Sequence, residues 1–253
     1  MINPSFIMFK RRTPGWKLGG SVRIVFWGSE RGCCVTSNML ILSAYLACKK
    51  GYRIALLELA EEKRGILRYF PRKKMRYAAD YIRTLVDRHL YYASLAEWQE
   101  QKKGPATVID MIKQLESNMD MVFVNLANRT DNEAKDLMRN AHLLVVNLKQ
   151  ELRAFDSFYA RYANLSTNVL LMIGNYYEDG VCEKEMLQKK YCIPEEMLVV
   201  IPNNPEYEMA CAEYHLERYL RRNKKTWMSV RKYYFWKELE KTAELLCEAV
   251  KKR

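Results

Sequence analysis

Several features that mark whole classes of protein are missing from this sequence. No apolar run reaches the roughly 18 residues that a membrane-spanning helix needs, since the best candidate, MLILSAYLA, soon meets Cys48-Lys49-Lys50-Gly51. The cysteines stand at 33, 34, 48, 182, 192, 211 and 247, odd in number and never as C-x-x-C. That set supports neither a zinc site nor a disulfide framework, and reduced thiols are expected. The histidines, His89, His142 and His215, lack metal-ligand spacing. No Ser/His/Asp or Cys/His/Asn arrangement emerges, and there is no internal repeat, low-complexity segment or linker long enough to divide domains. The opening MINPSFIMFKRR puts its charges after a short apolar patch, the reverse of a secretory leader. A cytoplasmic location is expected, with attachment at the inner face of a membrane as the further option.

What is abundant is positive charge. The net charge of +12 is concentrated in FKRRTPGWK near the start, RYFPRKKMR near residue 72, and RYLRRNKKTW with RKYYFWK near the end. Arg218, Arg221, Arg222, Lys224, Lys225, Arg231 and Lys232 make the last pair a dense basic tract interleaved with aromatics. Such clusters attract nucleic acid, anionic lipid or an acidic partner, and equally serve as solvated helix faces. Beyond the tract, Trp236, Leu239, Ala243, Leu246 and Val250 form one helical stripe, suited either to docking on the protein or to lying on a membrane surface.

The hydrophobic pattern alternates. VRIVFW (22–27), YRIALLEL (52–59), MDMVFVNLA (119–127), LLVVNL (143–148), NVLLMIG (168–174) and MLVVI (197–201) are short apolar runs, each an expected buried strand. Helices are predicted between them, at about 38–50, 131–140, 150–163 and 183–191, then 205–222 and 226–252. Thr36, Ser37 and Asn38 offer caps for the first helix and Gly51 its stop. Ala78, Tyr81, Ile82, Leu85, Val86, His89 and Ala93 recur at helical spacing, which predicts a long helix over about 75–101. The expected fold is α/β: a doubly wound, mostly parallel sheet with helices on both faces. Residues 1–21 read as a basic extension. Residues 22–253 read as a single domain with a helical insertion near 61–118 and C-terminal helices at 205–252.

In such sheets ligands sit beyond the carboxyl ends of the strands. The first post-strand segment is WGSERGCCVTSN, 27–38. It reads as an ordinary strand-to-helix turn or as a phosphate loop short of glycine and lysine.

Together with the segments that follow it, this loop resembles the ParA/MinD branch of P-loop ATPases, and within it the pilus-associated TadZ/CpaE-like proteins. Those families carry K-G-G-x-G-K-T after the first strand. On this resemblance Arg31 matches the first lysine, Gly32 and Cys33 the glycine pair, Cys34 the variable residue and Val35 the last glycine. Thr36 takes the place of the catalytic lysine and Ser37 that of the magnesium-binding hydroxyl, with Asn38 following. ALLELAEEKRG resembles L-L-I-D-x-D, with Glu58 at the first acid. MDMVFVNLANRT resembles the Walker B segment, with Asn125 in place of aspartate, and AHLLVVNL carries His142 in place of an acid. LLMIGNYYEDG and VVIPNNPEYEMACAE resemble the segments that flank adenine, with Asn175 at the purine-reading position and Pro202 in the I-P pair. The resemblance spans about 22–215 and implies ATP or ADP with magnesium as ligand, a homodimer, and a protein partner in a membrane-associated assembly.

The departures bear on chemistry. A working loop turns several amides toward the phosphates at positive φ, which β-branched Val35 resists. Thr36 lacks the positive charge of lysine, and Asn125 lacks the negative charge that holds magnesium. Losing one such electrostatic contact costs on the order of 100-fold in rate, so weak or no ATP hydrolysis is expected. Binding demands less: the helix N-terminus still offers amides, Arg31 a cation, and Ser37 and Asn38 hydrogen bonds. Cys33 and Cys34 are either thiols activated by the helix end and Arg31 or fillers of space left by glycines. The functional expectation is a localisation or assembly adaptor, plausibly for a Tad-type pilus or secretion system, with no catalytic or metal-ligating residue. The alternatives are a ParA-like nonspecific DNA binder and a nucleotide-gated peripheral membrane ATPase.

Overall fold

The computed structural model of the chain describes residues 20–59, 65–70, 76–79, 81–86, 89–101, 107–162, 168–222 and 230–251. The basic extension before residue 20 lies outside them, as do most of RYFPRKKMR and both Lys224 and Lys225.

Nine strands form one sheet: β1 (Val22–Gly28), β2 (Ile54–Glu58), β3 (Arg76–Ala79), β4 (Ile82–Val86), β5 (Leu90–Ala93), β6 (Met121–Asn125), β7 (Leu143–Leu148), β8 (Val169–Tyr176) and β9 (Leu198–Pro202). Their order is β3-β4-β5-β2-β6-β1-β7-β8-β9. From β5 to β9 all neighbours are parallel, while β4 runs antiparallel to β3 and β5. Because successive side chains point to opposite faces, each central strand feeds two cores. Ile24, Phe26, Leu56, Phe123, Val145 and Met172 belong to one, and Val25, Trp27, Val122, Val124, Leu144 and Val146 to the other. A strand buried on both sides has to be apolar at every position, which is why these strands are unbroken apolar runs.

The helices cover both faces. The first core holds α1 (Val35–Tyr45) and the buried residues of α7 (Pro205–Ala212), α8 (Leu216–Arg222) and α9 (Val230–Lys251). The second holds those of α3 (Val108–Glu116), α4 (Asn132–Arg139), α5 (Leu152–Tyr162) and α6 (Lys184–Tyr191). After α1 the chain widens into one π-type turn, Leu46–Lys50, which Gly51 ends at φ 75°. Leu239, Ala243, Leu246 and Val250 of α9 are buried in the first core, so the terminal stripe docks on the protein and is not presented to a membrane. No helix among the described residues is long and apolar enough to cross a membrane.

Two expectations are corrected. The long helix over 75–101 does not form. Strands β3, β4 and β5 build an antiparallel meander there, and only α2 (Leu95–Gln101) is helical. The insertion near 61–118 is therefore part sheet. Tyr77, Tyr81, Ile82, Thr84, Val86, Tyr91 and Tyr92 are residue types that favour strands. Register shifts between Tyr77 and Ala79 and between Thr84 and Val86 break the two-residue alternation, leaving apolar residues at intervals that mimic a helix. The helix expected over 205–222 is two, α7 and α8, parted at Tyr214, whose φ is 59°.

Candidate functional site

The loop between β1 and α1 turns through two left-handed residues, Gly32 at φ 83° and Cys34 at φ 59°. Gly32 adopts that conformation freely; Cys34 does so at a cost of about 1 kcal/mol. Helix α1 starts at Val35 with Cys34 as N-cap, and no side chain caps it. Thr36, Ser37 and Asn38 lie inside the first turn and are not caps, contrary to expectation, because the tight left-handed turn starts the helix before them. Val35 is helical, so the strain falls on Cys34 and not on Val35. The Val35 side chain is 8% exposed, and its Cγ2 would stand 2.7 Å from a Cβ placed on Gly28. A methyl group therefore fills the hollow under the end of β1.

The first turn of α1 points its polar groups in three directions. Thr36 faces β6: its Oγ1 accepts a hydrogen bond from Asn125 Nδ2 at 2.9 Å. The same Nδ2 lies 3.4 Å from Glu58 Oε1, and Asn125 Oδ1 accepts from the Ala127 amide at 2.9 Å. Glu58 Oε2 accepts from the amide of Ile66 at 3.0 Å, which anchors a 3-10 turn, Ile66–Tyr69, to the end of β2. Asn125 is fully buried, and both ends of its amide are satisfied. A buried polar group that lacked these partners would cost about 1–3 kcal/mol.

Asn38 faces β7. Its Nδ2 donates to Asn147 Oδ1 at 2.8 Å, and Asn147 Nδ2 donates to the Trp27 carbonyl at 3.1 Å. Gly174 closes over this pair: a Cβ there would lie 2.5 Å from Asn38 Nδ2 and 2.7 Å from Cys34 Cβ. Ser37 faces α7, where the buried Tyr207 hydroxyl donates to the Ser37 carbonyl at 3.1 Å and lies 3.3 Å from Ser37 Oγ. Burial holds the Tyr207 phenol far above its usual pKa. Ser37, Tyr69, Tyr207, Cys211 and Ala212 help line a cleft of about 390 Å³ on this side.

The remaining candidates are dispersed. Arg31 is exposed, and across the loop Lys149 pairs with Glu30 at 3.3 Å. Asn175 is exposed at φ 54° and accepts from Asn203 Nδ2 at 2.6 Å. Pro202 is buried at the end of β9. Cys33 is buried and Cys34 partly so; burial raises both thiols above their usual pKa, with Glu208 adding to the effect at Cys34. Burial thus works against activation of either thiol, because the thiolate is the form that desolvation disfavours. Of the basic tract, Arg218 is exposed; the side chains of Arg221, Arg222, Arg231 and Lys232 lie outside the described residues. No cluster of three or more potential metal ligands occurs among the described residues.

Sequence reasoning missed Asn147, Gly174, Lys149 and Tyr207. Asn147 had a visible signal, an amide inside the apolar strand LLVVNL, which needs a buried partner. Tyr207 gave no such signal, because its contact with Ser37 spans 170 residues.

The arrangement does not fit a magnesium nucleotide as a working loop holds one. Thr36 and Asn125 bond to each other, the Glu58 carboxylate accepts from an amide, and the Val35 side chain is buried against Gly28.

No family model matches the sequence, and no curated protein matches it. Solved structures do. MinD of Pyrococcus horikoshii, complexed with Mg-ADP, has a TM-score of 0.67 at 14% identity, over 89% of this chain and 96% of that one. MinD of Aquifex aeolicus in a MinC:MinD cell division complex has a TM-score of 0.63 at 12% identity, over 90% and 96%. A ParA family ATPase of Chlorobium tepidum has 0.63 at 9% identity, over 89% and 98%. The chain has the α/β fold of the ParA/MinD ATPases.

Proposed function

We propose that this chain is a ParA/MinD-like P-loop protein that has given up ATP turnover and acts as a localisation or assembly adaptor for a membrane-associated machine. A Tad-type pilus or secretion system is the setting that its resemblance to TadZ/CpaE-like proteins favours. The observation that carries the reading is the hydrogen bond from Asn125 Nδ2 to Thr36 Oγ1 at 2.9 Å. In a P-loop enzyme a Walker B aspartate and a loop hydroxyl hold one magnesium ion between them. Here a neutral amide and a hydroxyl hold each other.

The same bond moves the register of the loop by one residue. The hydroxyl that meets the Walker B position is that of Thr36, while Ser37 turns to Tyr207. Thr36 then stands in the hydroxyl's place, Val35 in the lysine's and Cys34 in that of the last glycine, which accounts for the left-handed Cys34. An apolar residue replaces the lysine, and the cations beside the loop are the exposed Arg31 and Lys149, which pairs with Glu30. The similar MinD of Aquifex aeolicus is found with a protein partner, which supports a role in assembly, and a homodimer is compatible with it.

The test is ATP hydrolysis and calorimetric titration with Mg-ATP on the purified protein. The expected result is no turnover above the blank and no heat of binding. Turnover abolished by Thr36→Ala would overturn the reading.

A further inference from the structure

We infer that the outer face of α7, with the cleft beside it, is a docking site for a basic amphipathic helix of a partner protein. The inference rests on the adaptor reading and names the chemistry of the partner.

Residues 203–217, NNPEYEMACAEYHLE, contain Glu206, Glu208, Glu213 and Glu217 and no lysine or arginine, in a chain whose net charge is +12. Helix α7 buries Tyr207, Ala210 and Cys211 and turns Glu206, Glu208, Met209 and Ala212 outward. Met209 and Ala212 are three apart and so adjacent on the surface; Glu206 and Glu213 flank Met209 at three and four residues, and Glu208 stands four before Ala212. The apolar strip is thus bordered by acids on both sides. Met209 is 59% exposed and Tyr214, just past the helix, 50% exposed.

A large, adaptable thioether in solvent and a half-exposed tyrosine are residue types enriched at protein interfaces. Beside them the cleft of about 390 Å³ runs from Ala212 over the Tyr207 ring to Tyr69. Its volume has room for one or two large apolar side chains from a facing helix. One cation, Arg68, also lines the cleft and lies over the Tyr69 ring, 4.7 Å from the centroid. Glu206, Glu208 and Glu213 make the α7 side acidic, and lysines or arginines on the facing helix complement them. The floor of the cleft also touches Ser37, the neighbour of Thr36, so a helix seated here rests against the first turn of α1.

The test uses the full chain and two synthetic peptides of about 18 residues, five helical turns. One is an amphipathic leucine-lysine helix and the other its leucine-glutamate counterpart, each read by fluorescence anisotropy at physiological salt. The leucine-lysine peptide is expected to bind and the leucine-glutamate peptide not to. Met209→Lys with Ala212→Arg should weaken binding about tenfold or more. Glu178→Lys with Asp179→Lys, which removes an acidic pair elsewhere, should change it less than about twofold. All four positions except Ala212 lie outside the cleft lining and all are exposed, so unchanged melting curves will show that the variants fold. No binding of the leucine-lysine peptide, or equal weakening by both variants, overturns the inference. So does a dimer in sedimentation velocity that Met209→Lys with Ala212→Arg dissolves, because a second copy would then be the occupant. A protein that hydrolyses ATP yet passes these tests loses the adaptor reading and keeps the docking site.

Discussion

The two ends of the short path from Thr36 to Met209 are built on opposite plans. At Thr36 the polar groups face inward and are used up: Thr36, Asn125 and Glu58 on one side, Asn38 and Asn147 on the other, with Val35 in the hollow between strand and helix. At α7 the acids and Met209 face solvent. A surface selected to hold a charged ligand keeps donors and charges unspent until the ligand arrives, which costs stability in its absence. The loop keeps in reserve its uncapped helix amides and the exposed Arg31, whereas the α7 face presents acids and a thioether. That contrast is what favours the outer face of α7 over the β1–α1 loop as the proposed partner site.

The sharpest way to break that contrast is Asn125→Asp. It restores the residue type that holds magnesium, but inside this network it buries a carboxylate 3.4 Å from the place where Glu58 stands and removes the donor to Thr36. A loss of about 3–5 kcal/mol is expected in urea denaturation at neutral pH. The loss should shrink in acid, where protonation restores a donor. If added Mg²⁺ returned the stability, the loop would still hold a metal ion and the contrast would fail. Next in size is Gly174→Ala. Its methyl would press on Asn38 Nδ2 and Cys34 Cβ at 2.5 and 2.7 Å, the first in α1 and the second its N-cap. The expected cost is about 2–3 kcal/mol, with no change in binding of the leucine-lysine peptide. A tolerated alanine would mean that the loop has room to open.

The parallel part of the fold was legible because burial on both faces forces every residue of β1, β6, β7 and β9 to be apolar except Arg23, Asn125 and Asn147, and such runs are visible one at a time. The meander was not legible. Two register shifts displaced Tyr77 to Ala79 and Thr84 to Val86, and a strand that loses its alternation can take on helical spacing. At the site, the sequence put Asn125 at the carboxyl end of an apolar strand, where ligands gather in such sheets. It did not show which hydroxyl Asn125 meets. Thr36 and Ser37 are adjacent and chemically alike, and only the direction of the helix's first turn distinguishes them.

The smallest effect concerns the clamp behind the loop. Arg129 donates to the Leu59 carbonyl at 3.0 Å and to Asp131 at 2.8 and 3.0 Å, while its own carbonyl accepts from the Trp27 indole at 2.8 Å. Asp131 also caps α4 by accepting from the Ala134 amide at 3.1 Å. The Arg129 guanidinium, and after it the helix amide, hold the Asp131 carboxyl at about 2, below its ordinary 3.8. A depressed carboxylate stabilises the folded state above its unfolded pKa and loses that contribution as pH falls through the folded one. The gain is therefore complete above about pH 5, mostly lost by about pH 2 and gone near pH 1. Asp131→Asn keeps the capping oxygen and removes only the charge. Because the pair is exposed to solvent, the difference at neutral pH should be below about 1 kcal/mol. Thermal melts of the two proteins from pH 7 to pH 2 should converge at the acid end. A gap that stays constant with pH would assign the stability to the cap alone and leave the rear of the loop without an ionic clamp.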